Sequence, residues 1–139
     1  MDPIVPYLTF NGNAEEAMNF YKDVFGAEES SIMRYSEMPP NTEFPIPDEA
    51  KDLVMHAHIK TGDFSVMAAD SVKPGTVGTN VALSLNFTED AEQTDVFNKL
   101  SDGGKVTMPL QDTFWGARFG MCTDKYGINW MFNKENPQE

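Results

Sequence analysis

The stretch LTFNGNAEEAMNFYKDVFGAE (residues 8–28) recurs further along the chain as LNFTEDAEQTDVFNKLSDGGK (residues 85–105). When the two stretches are superposed, identical residues meet at Leu8 and Leu85, Phe10 and Phe87, Ala14 and Ala91, Glu15 and Glu92, Phe20 and Phe97, and Gly26 and Gly103. Chance at ordinary residue frequencies would give about one such match. An internal repeat of this kind predicts two copies of one structural unit.

Each copy opens with a strand and continues into a helix. Apolar residues at spacings of three and four predict a first helix over residues 14–25 and a second over residues 91–100. Each helix is preceded by a residue that can cap its first turn and is followed by glycine. The pairs Asn13 with Glu16 and Asp90 with Gln93 predict two capping boxes.

Strands are predicted on both sides of each helix. In the first half they cover residues 4–10, 30–37, 53–60 and 64–70, with Thr61-Gly62-Asp63 as a tight hairpin; in the second half they cover residues 79–87, 105–110, 117–123 and 128–133. Each half therefore has the order β-α-β-β-β. We expect an α+β fold of tandem βαβββ modules, residues 1–75 and 76–139, within a single domain of 139 residues.

A single βαβββ unit cannot bury both faces of its sheet, because its helix covers only one of them. The second unit, or a second chain, must cover the rest. We therefore expect curved mixed sheets around a central chamber, and a homodimer. The proline-rich segment 38–50 interrupts the pattern and is predicted to be a surface loop, either a lid over the chamber or a plain connection.

Composition narrows the classes of partner. Ten Lys and Arg residues against 22 Asp and Glu give a formal net charge of −12, which disfavours nucleic acid and anionic membrane surfaces as partners. The one cysteine, Cys122, permits no internal disulfide and is expected to be a buried thiol. Without a basic N-terminal region or a long apolar run, we expect a cytoplasmic protein.

Several segments together resemble a known superfamily. They are PYLTFNGNAEEAMNFYKDVFGAE (6–28), HAHIKTGDFSVMAAD (56–70), NVALSLNF (80–87) and GGKVTMPLQDTFWGARFGMCTDKYGINWMFN (103–133), which cover nearly the whole chain. They are similar to the PhnB-like subgroup of the vicinal-oxygen-chelate superfamily, which includes glyoxalase I and the bleomycin-resistance proteins. Related sequences are labelled as ubiquinone methyltransferase-like, but this chain lacks the glycine-rich strand-to-helix turn typical of nucleotide-binding methyltransferases.

The resemblance also implies where a metal would be bound. Active members hold a divalent ion with His or carboxylate ligands on the first, fourth, fifth and eighth strands. The matching positions here are Val5 or Pro6, Ala69 or Asp70, Asn80, and Met131. Only Asp70 is a strong ligand, and one carboxylate cannot complete the shell of a divalent ion. We therefore predict no metal at the standard site and no other cofactor.

His56 and His58 are the candidate catalytic residues. Being two apart on a strand they share a face, and the apolar alternation of their neighbours points that face towards the chamber. Three interpretations are open: polar lining of a pocket or interface, a general base near neutral pH, or a divalent-metal site formed by His56, His58 and Asp70.

The remaining candidate binding residues lie mostly near the end of the chain. Gln111, Trp115 and Arg118 bring an amide, an indole and a guanidinium together, which either orient a flat or anionic ligand or form a dimer seam. Trp130 and Phe132 are predicted to face the second helix, which leaves Asn129 and Met131 towards the chamber. The resemblance places the candidate binding residues Asp70 and Asn80 on the inner faces of their strands as well.

Two functions of different classes are open at this stage. One is an enzyme of unknown reaction on a small metabolite, a lyase, isomerase or transferase, with His56 or His58 transferring a proton. The other is a protein of the bleomycin-resistance type that binds and sequesters a small molecule without chemistry.

Overall fold

The chain was analysed as a computed structural model, which describes residues 1–38, 46–62, 64–73 and 75–137. It divides into two compact units, Met1–Thr76 (unit 1) and Val77–Glu139 (unit 2). Within these described residues, each unit contains four strands in one sheet and one α-helix. The predicted tandem βαβββ order is confirmed.

Unit 1 contains sheet A. Its elements are β1 (Tyr7–Phe10), α1 (Ala14–Phe25), β2 (Glu29–Arg34), β3 (Val54–Lys60) and β4 (Ser65–Asp70), with short 3-10 turns at Tyr35–Glu37 and Asp48–Ala50. The strand order is β1-β4-β3-β2. Strand β1 runs parallel to β4, and the other pairs are antiparallel, so the sheet is mixed.

Unit 2 repeats this plan as sheet B. Its elements are β5 (Leu83–Phe87), α2 (Asp90–Ser101), β6 (Lys105–Asp112), β7 (Ala117–Thr123) and β8 (Asn129–Glu135). The strand order is β5-β8-β7-β6, with β5 parallel to β8. The two sheets therefore have the same topology, as the internal repeat predicts.

Each helix covers one face of its own sheet. Helix α1 packs on β3 and β4, and the side chains beneath it are small or apolar: Ala57, Ile59, Val66 and Ala68 are all at most 2% exposed. Helix α2 packs on β7 and β8, where the Phe97 ring meets Phe132 edge-on at 4.9 Å. Trp130 and Phe132 are buried with it, 2% and 0% exposed. Each sheet thus has a helix-covered face and a helix-free face.

The predicted capping boxes are wrong at both helices. Asn13 makes no side-chain hydrogen bond to the start of α1, and Asp90 is the first residue inside α2 rather than its cap. The carboxylate of Asp70, from the distant end of β4, instead accepts hydrogen bonds from the backbone N–H groups of Gly12 and Ala14. A local sequence pattern cannot reveal a cap supplied from another strand.

Strand boundaries also differ from prediction, most of all at the start of β1, which begins at Tyr7 rather than at residue 4, at the end of β2 and at the start of β5. Strand β2 ends at Arg34 because residues 35–37 turn into a 3-10 helix, in which the Glu37 carboxylate accepts a hydrogen bond from the Arg34 N–H. Strand β5 begins only at Leu83, which leaves Asn80 exposed before the strand.

Three predictions stay untested. The predicted lid, residues 38–50, and the predicted hairpin 61–63 each include residues outside the described part of the chain. The central chamber depends on how the two units are placed, and it stays a prediction.

Candidate functional site

The helix-free face of sheet A carries both histidines. His58 lies opposite Ser31 on β2 and opposite Met67 on β4, and His56 lies opposite Met33. The intervening Ala57 is fully buried on the helix-covered face, which fixes the histidines on the other one. Within the described chain neither imidazole has a hydrogen-bond or ion-pair partner, so both are available to a ligand.

The phenol of Tyr7 lies on the same face, and that of Tyr35, in the turn after β2, is close enough to interact with it electrostatically. The Tyr7 ring centroid is 6.0 Å from that of His56, and Tyr7 is 52% exposed. Tyr35 donates a hydrogen bond from its hydroxyl to the Asp70 carbonyl oxygen at 2.9 Å. Burial, with smaller contributions from Tyr7 and Asp70, raises the pKa of the Tyr35 phenol above its usual value. Tyr35 therefore stays protonated at neutral pH, and its oxygen can accept a hydrogen bond from a ligand.

Sequence reasoning missed both tyrosines. The alternation of Tyr7 and Thr9 with Leu8 and Phe10 along β1 was the available signal, because it already separates an exposed face from a buried one. What the sequence does not contain is the pairing of β1 with β4, which brings Tyr7 towards His56.

The Asp70 side chain lies on the opposite face from the histidines, and its carboxylate already accepts hydrogen bonds from the backbone. It is 3% exposed, and besides Gly12 and Ala14 it accepts a third backbone hydrogen bond, from the N–H of Val54 at 3.0 Å. Its oxygens thus join β4, the start of α1 and the start of β3. The predicted metal trio of His56, His58 and Asp70 is not assembled, and no group of three or more His, Cys, Asp or Glu side chains suited to a metal occurs among the described residues.

The standard superfamily metal set does not fit this chain either. Asp70, its one carboxylate, is committed to three backbone N–H groups. Asn80 lies outside β5, and the Met131 thioether is a poor ligand for a hard divalent ion. Val5 and Pro6 precede β1 and offer no side-chain donor.

Sheet B divides its predicted binding residues between two faces. Gln111 lies opposite Phe119, and the Trp115 ring stacks edge-on against Phe119 at 5.9 Å, so Gln111 and Trp115 share the helix-free side. Met131 lies opposite Met121 on that side too, because its neighbour Trp130 is buried on the other.

Arg118 points the other way and is engaged with α2. Its Nη1 donates to the Asp90 carbonyl and to Gln93 Oε1, and its Nη2 donates to Thr94 Oγ1. Gln93 is fully buried and returns a hydrogen bond from Nε2 to the Arg118 carbonyl. The predicted wall of Gln111, Trp115 and Arg118 therefore does not form, and Arg118 holds strand to helix instead.

A cleft lies beside α1 in unit 1. It has a volume of about 250 Å³, and its lining includes Lys22 and Asn19 of α1, Ser31 of β2, and His58. This is below the roughly 300–1,000 Å³ typical of pockets for drug-sized ligands. His58 thus borders a recess as well as lying on the helix-free face.

Neither α-helix in the described ranges, at twelve residues each, is long and apolar enough to cross a membrane.

Comparison with known proteins identifies the relatives. The family model described as 3-demethylubiquinone-9 3-methyltransferase matches residues 2–132. Protein YjdN of Escherichia coli K12 is 31% identical, over 99% of both chains. The crystal structure of protein PA1353 from Pseudomonas aeruginosa is 38% identical with a TM-score of 0.86, covering 99% of this chain and 100% of that one.

Further structures connect the fold to a wider group. The PhnB protein of Bacillus cereus is 30% identical with a TM-score of 0.75, covering 96% of this chain and 99% of that one. A glyoxalase/bleomycin resistance protein/dioxygenase family enzyme from Burkholderia phytofirmans is 13% identical with a TM-score of 0.61, covering 93% and 96%. The latter likeness concerns the fold alone.

Proposed function

The chain belongs to the family described as 3-demethylubiquinone-9 3-methyltransferase, among PhnB-like proteins of glyoxalase fold, and on that premise we propose that it binds a small metabolite on the helix-free face of sheet A. That face presents two imidazoles and a half-exposed phenol, Tyr7, beside the constrained phenol of Tyr35. Polar groups that find no protein partner are the groups a ligand uses for orientation.

One observation carries this proposal. Strand β7 takes the place of β3 in the repeated strand order. Within that order Met121 pairs with Met131 of β8 as His58 pairs with Met67 of β4. At the positions of His56 and His58, unit 2 has Phe119 and Met121. The same fold therefore forms without these histidines, so their presence in unit 1 is not a requirement of packing and favours a role in ligand chemistry.

The chemistry that this face supports best is proton transfer. Imidazole is the side chain that most readily exchanges a proton near neutral pH, and general acid–base catalysis by a positioned group contributes about 10²–10⁴-fold. His56, close to Tyr7, is the first choice for that role, with His58 as the alternative. We place the reaction among those of lyases, isomerases or transferases that move a proton on a small metabolite.

The fold gives less support to the methyl transfer in the family's description. Enzymes that hold nucleotide-type cofactors commonly do so at a glycine-rich turn in an open, doubly wound parallel sheet. Each unit here instead has a four-stranded mixed sheet with one helix. We therefore favour a small-metabolite site over one for a nucleotide-derived methyl donor.

A second candidate is ligand binding without chemistry, on the helix-free face of sheet B. Trp115 is 56% exposed and Phe114 97% exposed, and their rings meet edge-on at 5.0 Å. Exposed aromatic rings beside the Gln111 amide suit a flat ligand. This candidate corresponds to a sequestering protein.

A thermal-shift screen of small metabolites, run with a chelator present, tests both candidates. Wild type is compared with the double variant His56→Phe/His58→Met, which takes its residues from the equivalent positions of unit 2, and with Trp115→Ala. We expect a ligand that stabilises wild type and Trp115→Ala but not the double variant, and a product when it is incubated with wild type. A ligand lost only in Trp115→Ala, with no product, would favour sequestration. Stabilisation of all three proteins would refute both.

Turnover and affinity must also separate if a histidine is catalytic. In the variant His56→Ala we expect turnover to fall at least a hundredfold, because the proton-transferring group is absent. The ligand's dissociation constant should change much less, since Tyr7 and Tyr35 remain. Equal losses of turnover and affinity would assign His56 to binding alone.

We also propose a homodimer in the cytoplasm. Phe114 at 97% and Trp115 at 56% exposed form an apolar surface in unit 2 that a second copy would cover. The one cysteine, Cys122, is buried and free, which suits a reducing compartment. Light scattering of the purified chain checks the first statement, and a mass of one chain would contradict it.

A further inference from the structure

Four side chains with soft or borderline donor atoms lie next to one another on the helix-free face of sheet A. Met33 of β2 lies opposite His56 of β3, and His58 lies opposite Met67 of β4. Residues opposite each other in neighbouring strands have Cβ atoms about 4.5–5.5 Å apart, and His56 and His58 share the face at a spacing of two. Two imidazoles and two thioethers therefore form one patch across three strands, named here the His–Met patch.

We propose that the His–Met patch is a binding site for a single Cu(I) ion. Thioether sulfur is a soft ligand that selects Cu(I), and imidazole is a common copper ligand. Methionine has three rotatable side-chain bonds, so both sulfurs can turn towards the space between the imidazoles. Four donors of this kind provide a complete first shell for Cu(I).

Charge and donor availability favour a cation at this place. In the described part of the chain, neither imidazole makes a hydrogen bond or ion pair that would have to be broken. The formal net charge of −12 attracts cations to the protein generally. The carboxylate of Asp70, at the end of β4, is on the other face and already accepts backbone hydrogen bonds, so it does not serve the patch as an oxygen ligand for Mg²⁺ or Ca²⁺.

Unit 2 provides an internal contrast. Met131 takes the place of Met67, but Phe119 stands at the position of His56, Met121 at that of His58, and Gln111, opposite Phe119, at that of Met33. Of the four side chains of the His–Met patch, only Met67 therefore has the same residue type at its equivalent position in unit 2. The combination with two imidazoles occurs in unit 1.

This site goes beyond the proposed metabolite binding but uses the same imidazoles. A bound copper ion would withdraw them from proton transfer, so Cu(I) and the metabolite should compete. The metabolite screen is run with a chelator and the copper measurement without a metabolite. Each proposal can thus fail without the other.

The test is an anaerobic titration with Cu(I) under reducing conditions, in competition with a chromogenic Cu(I) chelator. We expect wild type to withdraw one equivalent of copper per chain. Met67→Leu should weaken the affinity at least tenfold, and His56→Phe/His58→Leu, which removes both imidazoles without adding a thioether, should abolish binding. Met121→Leu, a thioether loss on the equivalent face of unit 2, should leave the affinity unchanged. Circular dichroism confirms that each variant is folded.

A parallel titration with Zn²⁺ separates the thioethers from the imidazoles. The affinity for Zn²⁺ should depend on the histidines but should be the same in Met67→Leu and wild type, since thioether sulfur contributes little to Zn²⁺ binding. X-ray absorption at the copper edge should detect both sulfur and nitrogen neighbours. Copper retained by His56→Phe/His58→Leu, or equal copper affinities of wild type and the double variant Met33→Leu/Met67→Leu, would overturn the proposal.

Discussion

Asp70 is the residue whose replacement should cost unit 1 the most stability for the fewest atoms changed. Its carboxylate accepts hydrogen bonds from Gly12 N at 3.0 Å, Ala14 N at 2.9 Å and Val54 N at 3.0 Å. The bonds to Ala14 and Val54 are buried, and the bond to Gly12 is partly buried. In Asp70→Ala at least two N–H groups lose their acceptor in a place that water does not reach.

The magnitude follows from these bonds. A buried donor left without an acceptor costs about 1–3 kcal/mol, and bonds to a charged acceptor lie towards the upper part of that range. We expect Asp70→Ala to lower the free energy of unfolding by about 4 kcal/mol. In Asp70→Asn one oxygen remains as acceptor, so we expect about 2 kcal/mol. Losses of this size are a large part of the 5–15 kcal/mol that stabilises an ordinary domain.

Urea denaturation measures the loss, and hydrogen exchange locates it. The Ala14 and Val54 amides should exchange faster in Asp70→Ala than in wild type, while amides of α2 should be unchanged. A loss below about 1 kcal/mol, with the Ala14 amide still protected, would refute the reasoning. It would mean that α1 and β3 hold their positions without the carboxylate.

Three further outcomes can be checked by simple variants. Burial, and to a lesser degree Asp124, raises the pKa of the Cys122 thiol to about 12. Since the thiol of an unfolded chain ionises at about 8.5, the free energy of unfolding should fall as the pH rises from there towards 12. Cys122→Ala should reduce this slope, and equal slopes for the variant and wild type would contradict burial of the thiol. Trp130→Phe removes a buried hydrogen bond from Nε1 to Asp124 Oδ2 at 2.8 Å and should cost about 2 kcal/mol in thermal or urea unfolding, against which a neutral effect would count. Gly104→Ala places a methyl group against the Thr123 carbonyl oxygen and should strongly destabilise the folded chain. The control Gly62→Ala should not, because a Cβ there meets open space. Similar melting temperatures for the two variants would be inconsistent with the packing at Gly104.

The order of elements could be predicted because it depends on local pattern. Helix α1 begins at Ala14 and ends at Phe25, as the apolar spacing and Gly26 predict. Gly26 adopts a left-handed conformation, φ 62°, which glycine reaches without strain. Strand β7 also has its predicted bounds, since Ala117–Thr123 is limited by turns on both sides.

The arrangement of the site could be predicted only in part, because it depends on strand register. Alternation along β3 correctly separates His56 and His58 from the buried Ala57 and Ile59. Nothing local to Asp70 shows that its partners are the backbone N–H groups of α1 and β3.

Arg118 illustrates the same limit in unit 2. Its neighbours in the sequence, Gln111 and Trp115, suggest a shared wall, but the pairing of β7 with β8 turns Arg118 towards α2. A side chain's face on a strand follows from a count of residues, whereas its partner across the sheet follows from long-range pairing.

We place the binding of the small metabolite on the helix-free face of sheet A. Methyl NMR of the methionines tests this placement, because methionines lie on this face (Met33, Met67), on the buried side of α1 (Met18, 2% exposed) and on sheet B (Met121). When the stabilising metabolite is titrated in, we expect the largest chemical-shift changes at the methyl groups of Met33 and Met67. The methyl signals of Met18 and Met121 should be nearly unchanged. Largest shifts at Met18 or Met121 would place the site elsewhere and contradict the account.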